Sequence, residues 1–333
     1  MIKTYIIETD TLPDPLEQAG LMNGFPKERI EKIQRIRHPG ARKQSFGAGL
    51  LIREILRKTA EKSTVQAQVR IPQQTLGQTA QQTQMQILQQ GQGQISQQTL
   101  GQILQQGQIL QQTQIQISQQ GQGQISQQIL MKTLAGTEGS AQIFYNSFGK
   151  PCLKDKVFSL SHTKNFAALS MWEETDGTEP ESLEDALCPL EGKTKVLLGC
   201  DIEIMQPYNS RIARRFFTQN EYRNLEEAAS EQEKASLFGR YWTRKESVMK
   251  LTGLGMALPM DVFDVCGNTA AVNREKIKDW EASVKEKPQP EYRQAVEILL
   301  NQELFFKEYR KDAYCMTVCS TKNQFAEEIV SLV

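Results

Sequence analysis

The stretch Val196-Leu-Leu-Gly-Cys-Asp-Ile-Glu-Ile204 predicts an apolar β-strand that carries two acids. Alternate residues of a strand share a face, so Asp201 and Glu203 are expected to point the same way, roughly 7 Å apart. Two carboxylates on one face repel each other unless a cation lies between them. Oxygen ligands suit Mg²⁺, which usually binds substrate phosphates as well. A strand end with two solvated acids explains the same residues, and the strand alone leaves both interpretations open.

A helix with a second pair of charged residues is predicted further along the chain. Ser230-Glu-Gln-Glu233 has the form of a capping box, which indicates a helix start. Within Trp242-Thr-Arg-Lys-Glu-Ser-Val-Met-Lys250, Glu246 and Lys250 are four residues apart and therefore share a helix face. Such a pair is usually a surface ion pair. Its functional meaning is a third carboxylate for the metal beside an ammonium for a phosphate.

Two further segments carry groups that suit phosphate binding. In Phe158-Ser-Leu-Ser-His-Thr163, Ser161 and His162 follow a strand and can supply hydrogen-bond donors to a phosphate. In Phe148-Gly-Lys-Pro151, Lys150 is held in a turn between Gly and Pro. A lone histidine is more often structural, and most such turns are only turns. Each segment by itself is therefore a weak signal.

The order and spacing of these motifs are more informative than any one of them. The chain carries YxxxGKPxL at 145–153, FSLSH at 158–162, GCDIE at 199–203 and WTRKESxxK at 242–250. This series closely resembles the signature motifs of the 4′-phosphopantetheinyl transferases, in particular the larger, surfactin-synthetase-activating type. The resemblance covers residues 1–60 and 143–320 and is strongest from 149 to 259.

The resemblance implies an α+β fold in which two similar α/β lobes form a pseudo-dimer. The first lobe is expected at residues 1–195, and the second, with the metal site, at residues 196–333. The first lobe is expected to hold a Gln-rich insertion at about 65–131 and an acidic loop at 173–193. Neither segment is part of the family's core pattern.

The resemblance also implies a role for each site residue. The expected metal ligands are Asp201, Glu203 and Glu246, which would hold Mg²⁺ against the diphosphate of coenzyme A. The base is expected to be Glu246, directly or through a metal-bound water, and Lys250 is expected to offset charge on the leaving phosphate. The residues expected to bind the nucleotide and its phosphates are Lys150, Ser161, His162, Lys43, Arg29 and Lys32.

The implied reaction moves the 4′-phosphopantetheine group of coenzyme A to a serine of an acyl or peptidyl carrier protein. Adenosine 3′,5′-bisphosphate is the product that leaves. One alternative is a relative that binds carrier proteins but has lost the chemistry, and another is a scaffold whose Gln-rich tract drives assembly. All three acids and the lysine are present, which argues against an inactive relative.

Other elements follow from local patterns. Helices are predicted at 27–37, between Pro26 and Pro39, then around Ala48 to Ile55, and from Thr218. Strands are predicted near 1–10, 143–145, 157–160, 166–172, 262–265, 304–309 and 314–319. Residues 65 to about 131 differ, because no charge occurs between Arg70 and Lys132 and QQGQGQISQQ occurs at both 89–98 and 119–128. This composition favours a disordered insert, with a short β-solenoid or an assembly segment as alternatives.

Composition excludes several classes of protein. Lys plus Arg and Asp plus Glu number 39 each, so there is no net positive charge to attract nucleic acid. The apolar run at the N-terminus is broken by Glu8, and no stretch approaches the roughly 20 apolar residues that cross a bilayer. The six cysteines lack metal-ligand spacing, which predicts buried free thiols and a cytoplasmic protein. Two lobes in one chain favour a monomer.

Overall fold

The computed structural model describes residues 1–18, 20–69, 143–153, 156–173, 196–284 and 290–332. Of the described residues, those in 1–56 and 143–332 belong to one compact unit, and residues 57–69 belong to a second. Residues 65–69 of the predicted Gln-rich insert lie in a helix that ends at Val69, so the prediction of a disordered insert is wrong for these five residues. The rest of the Gln-rich tract, from residue 70 onward, and the acidic loop from residue 174 onward lie outside the described residues. The expectations for these two segments therefore stay predictions.

Helices and strands alternate irregularly along the chain, so the fold is mixed α and β. The strands are β1 (Ile2–Glu8), β2 (Ile143–Tyr145), β3 (Pro151–Leu153), β4 (Phe158–Thr163), β5 (Phe166–Trp172), β6 (Leu198–Ile204), β7 (Phe263–Asp264), β8 (Ala271–Val272), β9 (Phe305–Lys311), β10 (Tyr314–Ser320) and β11 (Phe325–Ser331). The helices are α1 (Lys27–Arg35), α2 (Pro39–Val69), α3 (Ser210–Phe216), α4 (Gln219–Glu226), α5 (Glu231–Thr252), α6 (Arg274–Val284) and α7 (Pro290–Asn301).

Two sheets organise the first unit. One has the order β11-β1-β5-β4, and the other has the order β6-β10-β9. Strand β11 runs parallel to β1, whereas the other neighbours in both sheets are antiparallel. The last strand of the chain therefore completes a sheet whose other strands come from residues 2–172.

The two sheets share a hydrophobic core. Buried side chains from both sheets pack together in it, including Ile2, Ala168, Cys200, Ile202, Met316 and Val318. A larger cluster surrounds α5 and includes Val248, Met249, Phe263 and Ile277, each with no exposed surface. Strand β6 thus packs on apolar side chains while its two acids face away from that core.

Helix α5 crosses β6 at Gly199. A Cβ atom at this position would lie 2.0 Å from the carbonyl oxygen of Ser247 and 2.4 Å from the backbone nitrogen of Leu251. Only a residue without a side chain permits so close an approach of helix and strand. This contact brings the last two turns of α5 against the strand that carries the acids.

The described elements confirm most of the local predictions. The capping box at Thr218 is present with both hydrogen bonds, and the hydroxyl of Ser230 caps α5 by accepting from the backbone N–H of Glu233. Helix α5 ends at Gly253, whose φ of 79° is left-handed. Local patterns did not predict helices α3, α6 and α7 or strands β3, β8 and β11. Among the described residues, no helix is long and apolar enough to cross a membrane.

Candidate active site

An ion pair between strand β6 and helix α5 forms the centre of the candidate site. The ammonium of Lys250 lies 2.6 Å from Oδ1 of Asp201, whose side chain is 4% exposed. Burial works against the charge on Lys250, but Asp201 and other nearby anionic groups raise its pKa above the ordinary value. Lys250 therefore carries a firmly held positive charge beside a buried carboxylate.

The hydroxyl of Ser161 completes this centre from strand β4. It donates to Oδ1 of Asp201 at 2.8 Å, and it accepts from Lys250 Nζ at 2.7 Å and from the backbone N–H of Ile202 at 3.3 Å. One hydroxyl donates once and accepts twice, so its capacity is fully used. Within the described residues, Ser161 is thus part of the Asp201–Lys250 centre, and its predicted contact with a phosphate stays a prediction.

Glu203 and Glu246 lie close enough to Asp201 for its charge to change their pKa values. Burial, followed by the charge of Asp201, raises the pKa of Glu203, while a hydrogen bond from Thr163 to its Oε2 at 2.9 Å lowers it. Burial, again followed by the charge of Asp201, raises the pKa of Glu246 to about 7, and Glu203 contributes in the same direction. The charge of Asp201 therefore acts on both carboxylates, and the charge of Glu203 also acts on Glu246.

The chemistry of this acid set fits a divalent cation. Oδ2 of Asp201 is buried and has no hydrogen-bond partner, which is costly for a carboxylate oxygen unless a ligand satisfies it. A cation beside the acids would also relieve their mutual repulsion. Within the described residues, however, no three His, Cys, Asp or Glu side chains already form a metal-binding group. The predicted three-acid Mg²⁺ site therefore stays a prediction.

A cluster of basic side chains surrounds His162. Loss of water around the ring lowers the pKa of His162, and the nearby charges of Lys250, Arg29 and Lys32 lower it further. Arg29 is buried, and one guanidinium nitrogen donates to the carbonyl oxygen of Ser45 at 2.6 Å while its Nε has no hydrogen-bond partner. The positive charges gathered in this way from α1 and α5 are suited to an anion.

Two predicted phosphate ligands have other contacts. The ammonium of Lys150 donates to the carbonyl oxygens of Leu251 at 3.2 Å and Leu198 at 3.5 Å, where α5 ends. The ammonium of Lys43 donates to the carbonyl oxygen of Asp10 at 3.3 Å. Among the described residues, no hydrogen bond joins either lysine to His162, so their binding roles stay predictions.

Several residues that shape the site were not predicted. Asn146 accepts from the backbone N–H of Lys150 at 2.8 Å and donates to the carbonyl oxygen of Gly253 at 2.8 Å, so it joins the Lys150 turn to the end of α5. Thr163 donates a hydrogen bond to Glu203. Ser159, four residues earlier on the same strand, accepts from the backbone N–H of Cys200 in β6. The signal for the last two was present in the sequence, since Ser159, Ser161 and Thr163 alternate along one face of β4.

Comparison with known proteins identifies the segment that contains these acids. Residues 197–319 match the family model described as the 4′-phosphopantetheinyl transferase superfamily. This segment of the chain is similar to that superfamily. The superfamily segment contains the three acids and Lys250, while the β4 hydroxyls and His162 precede it. The sequence resemblance to phosphopantetheinyl transferases is thereby confirmed.

Individual phosphopantetheinyl transferases are similar over a longer stretch. The chain is 29% identical over 189 residues to the 4′-phosphopantetheinyl transferase ffp of Bacillus subtilis. The aligned stretch covers 56% of this chain and 65% of ffp. It is 28% identical over 186 residues to the 4′-phosphopantetheinyl transferase Sfp of Bacillus subtilis strain 168, and this stretch covers 55% of the chain and 64% of Sfp. The 4′-phosphopantetheinyl transferase HetI of Nostoc sp. strain PCC 7120 is 33% identical over 127 residues. This stretch covers 36% of the chain and 44% of HetI. The match thus spans slightly less than two thirds of ffp and of Sfp.

Proposed function

We propose that this chain is a Mg²⁺-dependent 4′-phosphopantetheinyl transferase that moves the phosphopantetheine group of coenzyme A onto a serine of an acyl or peptidyl carrier protein. One observation carries the proposal. The buried Asp201 carboxylate pairs with Lys250 through one oxygen and keeps the other without a hydrogen-bond partner, beside two more acids. The superfamily match over residues 197–319 supports the same reaction class.

The acids and the lysine divide the task of binding the diphosphate. Asp201, Glu203 and Glu246 would hold Mg²⁺, which would neutralise the charge of the diphosphate when bound. Lys250 would add a fixed positive charge beside that diphosphate. In phosphoryl transfer, positioning and charge neutralisation supply most of the catalysis. The cluster of Arg29, Lys32 and His162 is proposed to hold another phosphate of the nucleotide.

Proton transfer is assigned to Glu246. The carrier serine hydroxyl attacks the phosphorus that bears the pantetheine arm, and its proton passes to Glu246. The bond from that phosphorus to the oxygen of the leaving adenosine 3′,5′-bisphosphate breaks. Without a bound cation, burial and the charge of Asp201 raise the pKa of Glu246 to about 7. A bound Mg²⁺ would favour the charged carboxylate, which is the form that can accept the proton.

The finer features of the architecture are also proposals. We propose two similar lobes, residues 1–195 and 196–333, arranged as a pseudo-dimer with a Gln-rich insertion in the first. The proposed protein is a cytoplasmic monomer that uses neither nucleic acid nor a membrane, which agrees with its balanced charge. The phosphate-binding roles of Lys150, Lys43 and Ser161 rest on the motif resemblance alone.

A mass-spectrometric assay tests the activity. An apo-carrier protein incubated with coenzyme A, Mg²⁺ and the full chain is expected to gain the mass of one phosphopantetheine group at its serine. Asp201→Asn and Glu246→Gln are expected to abolish the gain, and so is chelation of the metal. Asp261→Asn removes a carboxylate that is 44% exposed and paired with Lys276, so this matched control is expected to remain active. Unchanged transfer by Asp201→Asn would refute the assignment.

A deletion tests the insertion. Replacing residues 70–130 by a short Gly/Ser linker is expected to leave transfer intact, because long inserts between secondary elements add little to the free energy of loop closure. A deletion variant that folds but does not modify the carrier would show that the Gln-rich tract takes part in the function.

A further inference from the structure

Strand β4 contacts β6 through a row of hydroxyl groups. The two strands belong to different sheets, so no backbone ladder joins them. Instead, the hydroxyl of Ser159 accepts from the backbone N–H of Cys200 at 3.0 Å, and the hydroxyl of Ser161 accepts from that of Ile202 at 3.3 Å. Thr163 is the third member of the row, and its hydroxyl has a carboxylate as its partner.

Thr163 makes the hydrogen bond that orients Glu203. Its hydroxyl donates to Oε2 of Glu203 at 2.9 Å, and within the described residues it is the one side-chain donor to that carboxylate. Glu203 lies near the end of β6 and is partly exposed, so its long side chain has several rotamers to lose on binding a ligand. Thr163 is buried and β-branched, which restricts its own rotamer.

We propose that Thr163 is a positioning residue that holds the Glu203 carboxylate in the orientation needed to bind the divalent cation. The inference rests on the proposed function. Hydrogen bonds to ligating carboxylates fix their orientation before the metal arrives, and losing one weakens metal binding. Ser161 does the same for Asp201, but its additional bond to Lys250 makes Thr163 the cleaner residue to test.

The test separates the hydroxyl from the shape of the side chain. Thr163→Val keeps the branched shape without the donor, whereas Thr163→Ser keeps the donor. Mn²⁺ serves as the probe, and the free ion is measured by electron paramagnetic resonance during titration of the full chain in the presence of coenzyme A. We expect Thr163→Val to weaken Mn²⁺ binding by about 10-fold or more and Thr163→Ser to restore most of it.

Thr4→Val is the matched control. The Thr4 hydroxyl is also buried in a strand, but its partner is the hydroxyl of Ser170 at 3.0 Å rather than a carboxylate. This control is expected to bind Mn²⁺ as the wild type does. If Thr163→Val does not fold, as judged by circular dichroism, the comparison of Thr163→Ala with Thr163→Ser takes its place.

The outcomes distinguish this inference from the function on which it rests. If the wild type binds Mn²⁺ and the folded Val or Ala variant binds it equally well, the role of Thr163 is refuted while the proposed function stands. If the wild type itself does not bind Mn²⁺ with coenzyme A, both proposals fail. Weaker binding by Thr163→Val with recovery in Thr163→Ser supports the inference.

Discussion

The ammonium of Lys250 and Oδ1 of Asp201 lie 2.6 Å apart, at the point where helix α5 crosses strand β6. The carboxylate is almost fully buried, while the lysine is 28% exposed. Removing either partner leaves a charge that the other had stabilised. The pair therefore joins α5 to β6 at the candidate site and supplies two of the charges of that site.

A double-mutant cycle measures this coupling. Lys250→Met and Asp201→Asn each break the pair, so we expect the double variant to lose less stability than the sum of the two single losses. The expected interaction energy is about 0.5–3 kcal/mol, the range found for residues in direct contact. The free energy of unfolding is measured in urea without coenzyme A or metal. Strictly additive losses would show that the two charges do not stabilise each other.

Gly199 and Gly239 give a matched pair of substitutions. A Cβ at Gly199 would lie 2.0 Å from the backbone oxygen of Ser247, whereas nothing lies within 4 Å of a Cβ at Gly239. Gly199→Ala is expected to lower the free energy of unfolding by about 1–3 kcal/mol or more through overpacking. Gly239→Ala, inside helix α5, is expected to raise it by about 0.5–1 kcal/mol. Thermal or urea unfolding checks both, and equal effects would contradict the close approach of α5 to β6.

The parts of the site that the sequence predicts are those set by local geometry. The common face of Asp201 and Glu203 follows from strand alternation, and the common face of Glu246 and Lys250 follows from the helical repeat. The limits of α5 follow from a capping serine and a terminal glycine. These features depend on residues within a few positions of one another, so local patterns are sufficient to predict them.

Long-range contacts account for most of what the sequence did not predict. Ser161 bonds to residues 40 and 89 positions away, and no local pattern indicates those partners. Lys150 lies in the expected turn, but the direction of its ammonium depends on where α5 ends, 101 residues later. Strand β11 has no fully buried side chain and pairs with β1 near the other end of the chain, so its own residues do not show an apolar strand pattern.

A fully buried ion pair between α4 and α5 gives a second stability prediction. Glu221 Oε2 and Lys245 Nζ are 2.9 Å apart, and neither side chain has exposed surface. Burial raises the pKa of Glu221 and lowers that of Lys245, because both charges have lost water. Lys245→Met leaves a buried carboxylate unpaired and is expected to cost about 3–5 kcal/mol.

The control for this prediction is an ion pair of the same type on the surface. Lys276 and Asp261 are 2.6 Å apart, with side chains 47% and 44% exposed. Lys276→Met is therefore expected to cost at most about 1 kcal/mol. Both variants are compared with the wild type by urea unfolding at neutral pH. Similar losses for the two would contradict the burial argument.

The lowered pKa of Lys150 determines how the contribution of this residue to stability changes with pH. Burial lowers the pKa of Lys150 from its ordinary 10.5 to about 8. Between these two values the unfolded chain binds more protons than the folded chain, so the stability contributed by this residue rises with pH across the window. Below about pH 8 the lysine is charged in both states, and the full cost of burying that charge is present.

Two substitutions isolate this contribution. Lys150→Met removes the titrating group, and Lys150→Arg keeps a positive charge throughout the window. We expect the wild type to gain free energy of unfolding relative to both variants as the pH rises from about 7.5 to about 10, as measured by urea unfolding. The two variants are expected to keep a constant difference from each other over the same range. Parallel curves for all three proteins would mean that the Lys150 ammonium is not held in the buried position beside the end of α5.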